Sequence, residues 1–194
     1  MYTVVGAMRS RAFRVLWTLE EIGQPYTHVA AGPLTPEAKE YSPLGKIPAL
    51  KDGDAVLTDS VAIMSYLADK HGALTFAAGT VERAVQDSHI HFVNEYLDAP
   101  LWLAARHAAI LPEEQRLPGV REAVERDIAL AVDLLAERIE GPFLQGETMT
   151  VADILAVHCL NWAMGAKFQI ENEAVKTYAK ALRERDAFKR VLAL

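Results

Sequence analysis

The sequence predicts a chain in two parts, a small α/β domain over residues 1–76 followed by an all-helical bundle over residues 80–194. Two patterns indicate this division. Short β-prone segments alternate with helical segments only in the first part. The second part shows apolar side chains at helical spacing nearly throughout, which is typical of a helical bundle.

The first domain has the predicted order β-α-β-α-β-β-α over residues 2–72. Its first helix ends at Gly23, because glycine adopts the left-handed conformation that closes a helix. A hairpin joins its last two strands. The last helix opens at Ser60, with Thr58 or Asp59 as the residue that caps it.

Three interruptions are predicted in the helical part, at Pro100, over residues 112–119 and at Gly141-Pro142, because proline and glycine break helices. A bundle of four to six helices follows from these breaks. Thr150 and Asp153 have the spacing of a capping box at the start of a strongly apolar helix. We therefore expect Asp153 to be structural and not catalytic.

Composition narrows the class of protein. The formal net charge of −6 disfavours a nucleic-acid partner, since affinity for phosphates comes from Lys and Arg. Neither a signal peptide nor an apolar run of membrane-spanning length is recognised, and the single cysteine, Cys159, excludes an internal disulfide.

His89 and His91 are two apart on a predicted helix, which predicts that both lie on the solvated surface and share no metal. We expect a cytoplasmic protein with no metal and no membrane or nucleic-acid partner.

Pro48 comes directly before a predicted strand. Proline has no N–H and cannot donate a hydrogen bond to a neighbouring strand, so it is tolerated at the beginning of a strand. A cis Ile47–Pro48 bond would turn the chain and present the backbone N–H and C=O of Ile47 to a ligand. The alternative is an ordinary trans proline at a strand edge, which the low frequency of cis bonds favours.

Asp59 and Ser60 open a helix, and the positive end of the helix dipole attracts an anionic group such as a carboxylate. An acidic side chain beside that end would pair with an ammonium group. The two residues together would hold both charged ends of an amino acid. The alternative is that the pair only caps the helix.

The sequence resembles the soluble glutathione S-transferase superfamily, of the bacterial, serine-using type, over essentially its whole length. The matching segments are residues 10–23, 45–50 and 57–63. The resemblance implies a thioredoxin-like first domain, an all-α second domain and a homodimer. It also implies glutathione as cosubstrate.

The resemblance assigns binding roles to five residues. In the family, the residue before a cis-proline bonds the cysteinyl backbone of glutathione, and an acid–Ser pair holds its γ-glutamyl end. Carried over by motif, Ile47 would bond the ligand beside Pro48, and Asp59 with Ser60 would hold the γ-glutamyl group. Lys46 would approach the glycyl carboxylate as a point charge.

A reactive residue is expected near the start of the first helix. A free thiol has a pKa of about 8.5, so glutathione needs a group that stabilises its thiolate. Ser10 is the hydroxyl at that position and is the predicted catalytic residue. Other alignments put Arg9 or Arg11 there, and Ser10 would then only cap the helix.

The implied function is a glutathione transferase that conjugates glutathione to a small electrophile, as in detoxification. Two alternatives remain. Glutathione-dependent isomerases and peroxidases share the fold, and fold does not decide the reaction. A non-catalytic glutathione-binding or regulatory protein would keep the binding residues without turnover.

Overall fold

The computed structural model describes all 194 residues. They divide into two compact units, one formed by residues 1–80 with residues 184–194, and the other by residues 81–183. The C-terminal segment, which the sequence analysis grouped with the helical domain, makes its contacts in the first unit. The predicted fold class, a thioredoxin-like α/β part and a helical part, is confirmed.

The first unit is built on a four-stranded sheet. Its strands are β1 (Tyr2–Val5), β2 (Tyr26–Val29), β3 (Ala49–Asp52) and β4 (Ala55–Thr58). Their order in the sheet is β2-β1-β3-β4, with β1 parallel to β2 and antiparallel to β3, and β3 antiparallel to β4. The end of β1, the start of β3 and the end of β4 therefore lie at one edge.

The α-helices follow in chain order: α1 (Ala12–Ile22), α2 (Pro36–Tyr41), α3 (Ser60–His71), α4 (Val81–Val93), α5 (Ala99–Ala105), α6 (Val120–Ala136), α7 (Val151–Gly165), α8 (Glu173–Arg183) and α9 (Asp186–Leu192). Helix α1 ends as predicted at Gly23, which is left-handed with φ 69°. Helix α3 is capped by Asp59, one of the two predicted caps. None of the helices combines the length and apolar character needed to span a membrane.

Helix α9 packs on α1 through aromatic and charged contacts within the first unit. The Phe188 ring lies edge-on to Phe13 and Trp17, with centroids 5.2 and 4.9 Å apart. Beside these rings, both Arg185 Nε and Nη2 donate to the Glu21 carboxylate at 2.7 Å. Bidentate pairing and ring packing together attach the last helix to the first.

Five α-helices, α4 to α8, form the second unit. The predicted break at Pro100 is wrong, because the helical backbone continues from α4 to Ile110 through two π-helical turns, Asn94–Asp98 and Arg106–Ile110. Pro100 lies in the first turn of α5, directly after a π turn. A missing N–H is tolerated at the first turn of a helix, and the wider turn accommodates the ring.

The expectation of solvated surface for both histidines of α4 is wrong for one of them. His91 is exposed, whereas His89 is buried, and neither of its ring nitrogens has a hydrogen-bond partner in the protein. Burial lowers the pKa of His89, and the nearby Arg138 charge lowers it further. The imidazole is therefore held neutral in the interior.

The predicted capping box at the start of α7 is confirmed. Thr150 Oγ1 accepts from the Ala152 N–H at 3.3 Å, and Asp153 Oδ2 accepts from the Thr150 N–H at 2.7 Å. Asp153 is fully buried and also accepts from the Leu144 N–H and the Tyr178 hydroxyl, both at 2.8 Å. Asp153 thus joins the start of α7 to a loop and to α8.

Candidate functional site

One edge of the sheet gathers the residues that the sequence analysis singled out. Val5 pairs with Ala49, and Ala49 pairs with Thr58. The residues just beyond these positions are Gly6, Pro48 and Asp59, so strand pairing places them side by side. Helix α3 begins at the same edge, directly after β4.

Gly6 allows the end of β1 to lie against two neighbouring elements. Its φ is 149°, and a Cβ atom there would be 2.6 Å from Ala12 Cβ and 3.3 Å from Ile47 Cβ. Only glycine fits such a close approach. The first residue of α1 and the Ile47–Pro48 turn therefore meet at the end of β1.

The Ile47–Pro48 peptide bond is cis, as the family resemblance implies. Pro48 is buried, Ile47 is half-buried and Lys46 is exposed. Ile47 lies outside β3, and its backbone takes part in no backbone–backbone hydrogen bond. Its N–H and C=O thus remain as a donor and an acceptor at this edge.

Asp59 has an unusual backbone conformation, with φ 71° and ψ 121°. The left-handed φ is costly for a residue with a side chain, by about 1–3 kcal/mol. Its Oδ1 accepts from the N–H groups of Val61 and Ala62 at 2.9 and 3.0 Å. A single carboxylate oxygen makes both capping bonds, so the exposed side chain retains Oδ2 for an external cation.

Ser10 is engaged locally, just before α1. Its hydroxyl donates to the Ala7 carbonyl at 2.6 Å and accepts from the Ala12 N–H at 3.1 Å. The side chain is half-buried. To donate to a ligand, the hydroxyl proton must leave the Ala7 carbonyl.

The structure adds one residue that sequence reasoning missed. Arg14 is 1% exposed, and its Nη1 donates to Ser60 Oγ at 3.2 Å. The contact links the buried side of α1 to the first residue of α3. The sequence contains one sign of this contact, a single arginine within the largely apolar segment of residues 12–19. A charged side chain is rarely fully buried without partners, so an arginine there predicts a buried polar contact.

The chain is similar to known proteins of one family. Residues 9–70 match the family model of the glutathione S-transferase N-terminal domain. The chain is 32% identical over 144 residues to glutathione S-transferase theta-1 of Bos taurus, a match that covers 68% of this chain and 58% of that protein. The matched segment therefore spans less than two thirds of this relative.

Solved structures extend the likeness to the whole chain. The glutathione transferase URE2P6 of Phanerochaete chrysosporium, in complex with oxidized glutathione, has 25% identity and a TM-score of 0.82, covering 99% of this chain and 94% of its own. The chain belongs to the soluble glutathione S-transferase superfamily. Ure2p5 of the same organism, cocrystallized with 1-(S-glutathionyl)-2,4-dinitrobenzene, has 21% identity and a TM-score of 0.84, covering 99% and 93%.

In this member of the superfamily, the predicted binding residues occupy two neighbouring segments of one sheet edge. Lys46, Ile47 and Pro48 lie on the turn before β3, and Asp59 and Ser60 lie between β4 and α3. Ser10 belongs to a third segment, the turn that leads into α1 at Ala12. The antiparallel pairing of β3 and β4 brings the first two segments together.

Proposed function

We propose that this chain binds glutathione at the described sheet edge, stabilises its thiolate and conjugates it to a small electrophile. The observation that carries the proposal is the juxtaposition of the cis Ile47–Pro48 turn with the N-terminus of α3. These are the two features that recognise the backbone and the γ-glutamyl group of glutathione in the family.

The γ-glutamyl group carries a carboxylate and an ammonium group, and each has a complementary partner at the start of α3. The carboxylate is attracted by the helix dipole and by donors at Ser60. The ammonium group pairs with Asp59, whose Oδ2 makes neither of the two capping bonds. This pair gives the site its specificity for a free amino-acid end.

The remainder of glutathione extends along the turn before β3. The Ile47 N–H and C=O pair with the cysteinyl backbone as an added strand would. Lys46 is exposed and supplies a positive charge to the glycyl carboxylate. The thiol then lies toward the start of α1, where the helix dipole and a hydroxyl donor favour the thiolate.

A direct test is calorimetric titration of the protein with glutathione and with S-hexylglutathione. We expect saturable binding of both ligands, followed by conjugation of 1-chloro-2,4-dinitrobenzene in an absorbance assay. Absence of binding by either ligand would contradict the proposal. The proposal also includes a cytoplasmic location, a homodimer and a serine as the reactive residue. Sedimentation velocity tests the homodimer.

A second candidate function is favoured by one observation. The Ser10 hydroxyl donates its proton to the Ala7 carbonyl and accepts from the Ala12 N–H near the start of α1, so neighbouring backbone groups already use the hydroxyl as donor and as acceptor. A protein whose reactive position is committed to a cap would bind glutathione without efficient turnover. Tight binding of both ligands in the titration, with no conjugate formed, would favour this binding or regulatory role.

Ser10→Ala is expected to raise the pKa of bound glutathione by one to two units if the hydroxyl stabilises the thiolate. The conjugation rate near neutral pH should then fall roughly ten- to a hundredfold, since each unit corresponds to about 1.4 kcal/mol. Affinity for glutathione should change little, because the protonated thiol gains little from that bond. The ultraviolet absorbance of the thiolate, followed against pH, measures the shift.

Ser10→Thr is the matched control, because it retains a hydroxyl at the same position. It should keep a titration curve close to that of the wild type. Superimposed curves for the wild type and Ser10→Ala would show that Ser10 is only a cap. Arg9→Ala and Arg11→Ala would then identify whether a neighbouring guanidinium stabilises the thiolate.

A further inference from the structure

Arg14 contacts the candidate site from the protein interior. It belongs to α1, which packs against α3 in the first unit. Its side chain is 1% exposed, and Ser60 is 3% exposed. The hydrogen bond between Arg14 Nη1 and Ser60 Oγ, 3.2 Å long, is therefore shielded from solvent.

The direction of this hydrogen bond is determined by chemistry. A guanidinium has donors only, so Ser60 Oγ must be the acceptor. A serine hydroxyl has one proton, which is then directed away from Arg14 to another acceptor. Arg14 thus converts Ser60 into a donor whose proton direction is set by a buried partner.

The guanidinium of Arg14 also lies close to the start of α3. A guanidinium keeps its positive charge in proteins, and here it lies behind the first residue of α3. The positive end of the α3 dipole is at the same place. The dipole and the hydroxyl proton both favour an anion in front of Ser60, and low exposure strengthens both of them.

We propose that Arg14 is a positioning residue that acts through Ser60 to recognise the α-carboxylate of the γ-glutamyl group. The inference rests on the proposed function, because it concerns the same glutathione site. Arg14 itself does not touch the ligand. Its effect is to raise the affinity for glutathione relative to a ligand that differs only in lacking this α-carboxylate.

The test compares glutathione with 4-aminobutyryl-cysteinylglycine, which is glutathione without its α-carboxylate. Calorimetric affinities for both ligands are measured on the wild type, Arg14→Met and Ser60→Ala. Arg14→Met should weaken glutathione binding about tenfold, the scale of one charge-assisted bond, and leave the affinity for the analogue nearly unchanged. Arg14→Met/Ser60→Ala should lose no more than Ser60→Ala alone, because both changes remove one recognition unit.

An equal loss of affinity for both ligands would show that Arg14 has a merely structural role and would overturn the inference. The inference would also be overturned if the fold-loss of glutathione affinity in the double variant equalled the product of the losses in the two single variants. Arg14→Lys keeps the charge and is measured in the same way, so that a folded variant is available if Arg14→Met unfolds. Arg14→Lys should reduce the preference for glutathione over the analogue less than Arg14→Met does. If both variants keep the full preference of the wild type, the inference is also overturned. A wild type that fails to bind glutathione would instead contradict the proposed function.

Discussion

Asp153→Ala should lower the free energy of unfolding of the helical unit by about 3 kcal/mol or more. A helix cap alone contributes about 1 kcal/mol, but the buried carboxylate here accepts four hydrogen bonds. They come from the Leu144 N–H, the Thr150 N–H and hydroxyl, and the Tyr178 hydroxyl. Each buried donor left unpaired costs about 1–3 kcal/mol. Urea denaturation followed by circular dichroism measures the loss.

Two matched variants separate the network from the cap. Thr150→Ala removes the capping hydroxyl and should cost about 1 kcal/mol. Asp153→Asn keeps the size of the side chain, but its amide nitrogen cannot accept the bonds that one carboxylate oxygen accepts, so it should resemble Asp153→Ala. A loss of only about 1 kcal/mol for Asp153→Ala would show that the carboxylate acts as a cap alone. Affinity for glutathione should be unchanged in each folded variant.

Asp59→Asn should weaken glutathione binding roughly ten- to a hundredfold, with little change in stability. A hydrogen bond to a charged partner contributes about 1.5–3 kcal/mol, and Asn cannot supply the negative charge that pairs with the ligand ammonium group. Asn does retain an acceptor for the Val61 and Ala62 N–H groups. It also tolerates a left-handed φ better than most residues. Calorimetric affinity and urea denaturation measure the two effects separately.

The ligand side provides the control for Asp59. Glutaryl-cysteinylglycine, which is glutathione without its α-amino group, should bind the wild type and Asp59→Asn with similar affinity. Asp59→Ala should lose glutathione affinity to the same extent as Asp59→Asn, and lose about 1 kcal/mol of stability as well, because it also removes the cap. Equal glutathione affinity for the wild type and Asp59→Asn would remove Asp59 from the ligand site.

Several features of the site depend on residues close together in the chain, and these were predicted from the sequence. The α3 cap at Asp59 involves N–H groups two and three residues away. The capping box of α7 spans Thr150 to Asp153. The Ile47–Pro48 bond was identified by its place before a strand and by family resemblance. Local spacing and backbone chemistry are sufficient for such features, because the partners are fixed by their separation in sequence.

Other features were not predicted, because they depend on contacts between segments that are far apart in the sequence. The proximity of Arg14 to Ser60 follows from the packing of α1 on α3, and the burial of His89 follows from the surroundings of α4. The sequence pattern predicts an interruption at Pro100, because it gives no sign of the π turn that precedes this residue. None of these outcomes is encoded by spacing along one element.

The sequence alone predicts that the chain has an α/β part and a helical part, and it locates the motifs with functional chemistry. Apolar periodicity and turn residues act locally, so they can be read without a partner segment. The place of α9 in the first unit, where Arg185 pairs with Glu21, and the contact of Arg14 with Ser60 depend on tertiary packing. Those pairs are separated by 164 and 46 positions in the chain, and packing of whole elements is what brings them together.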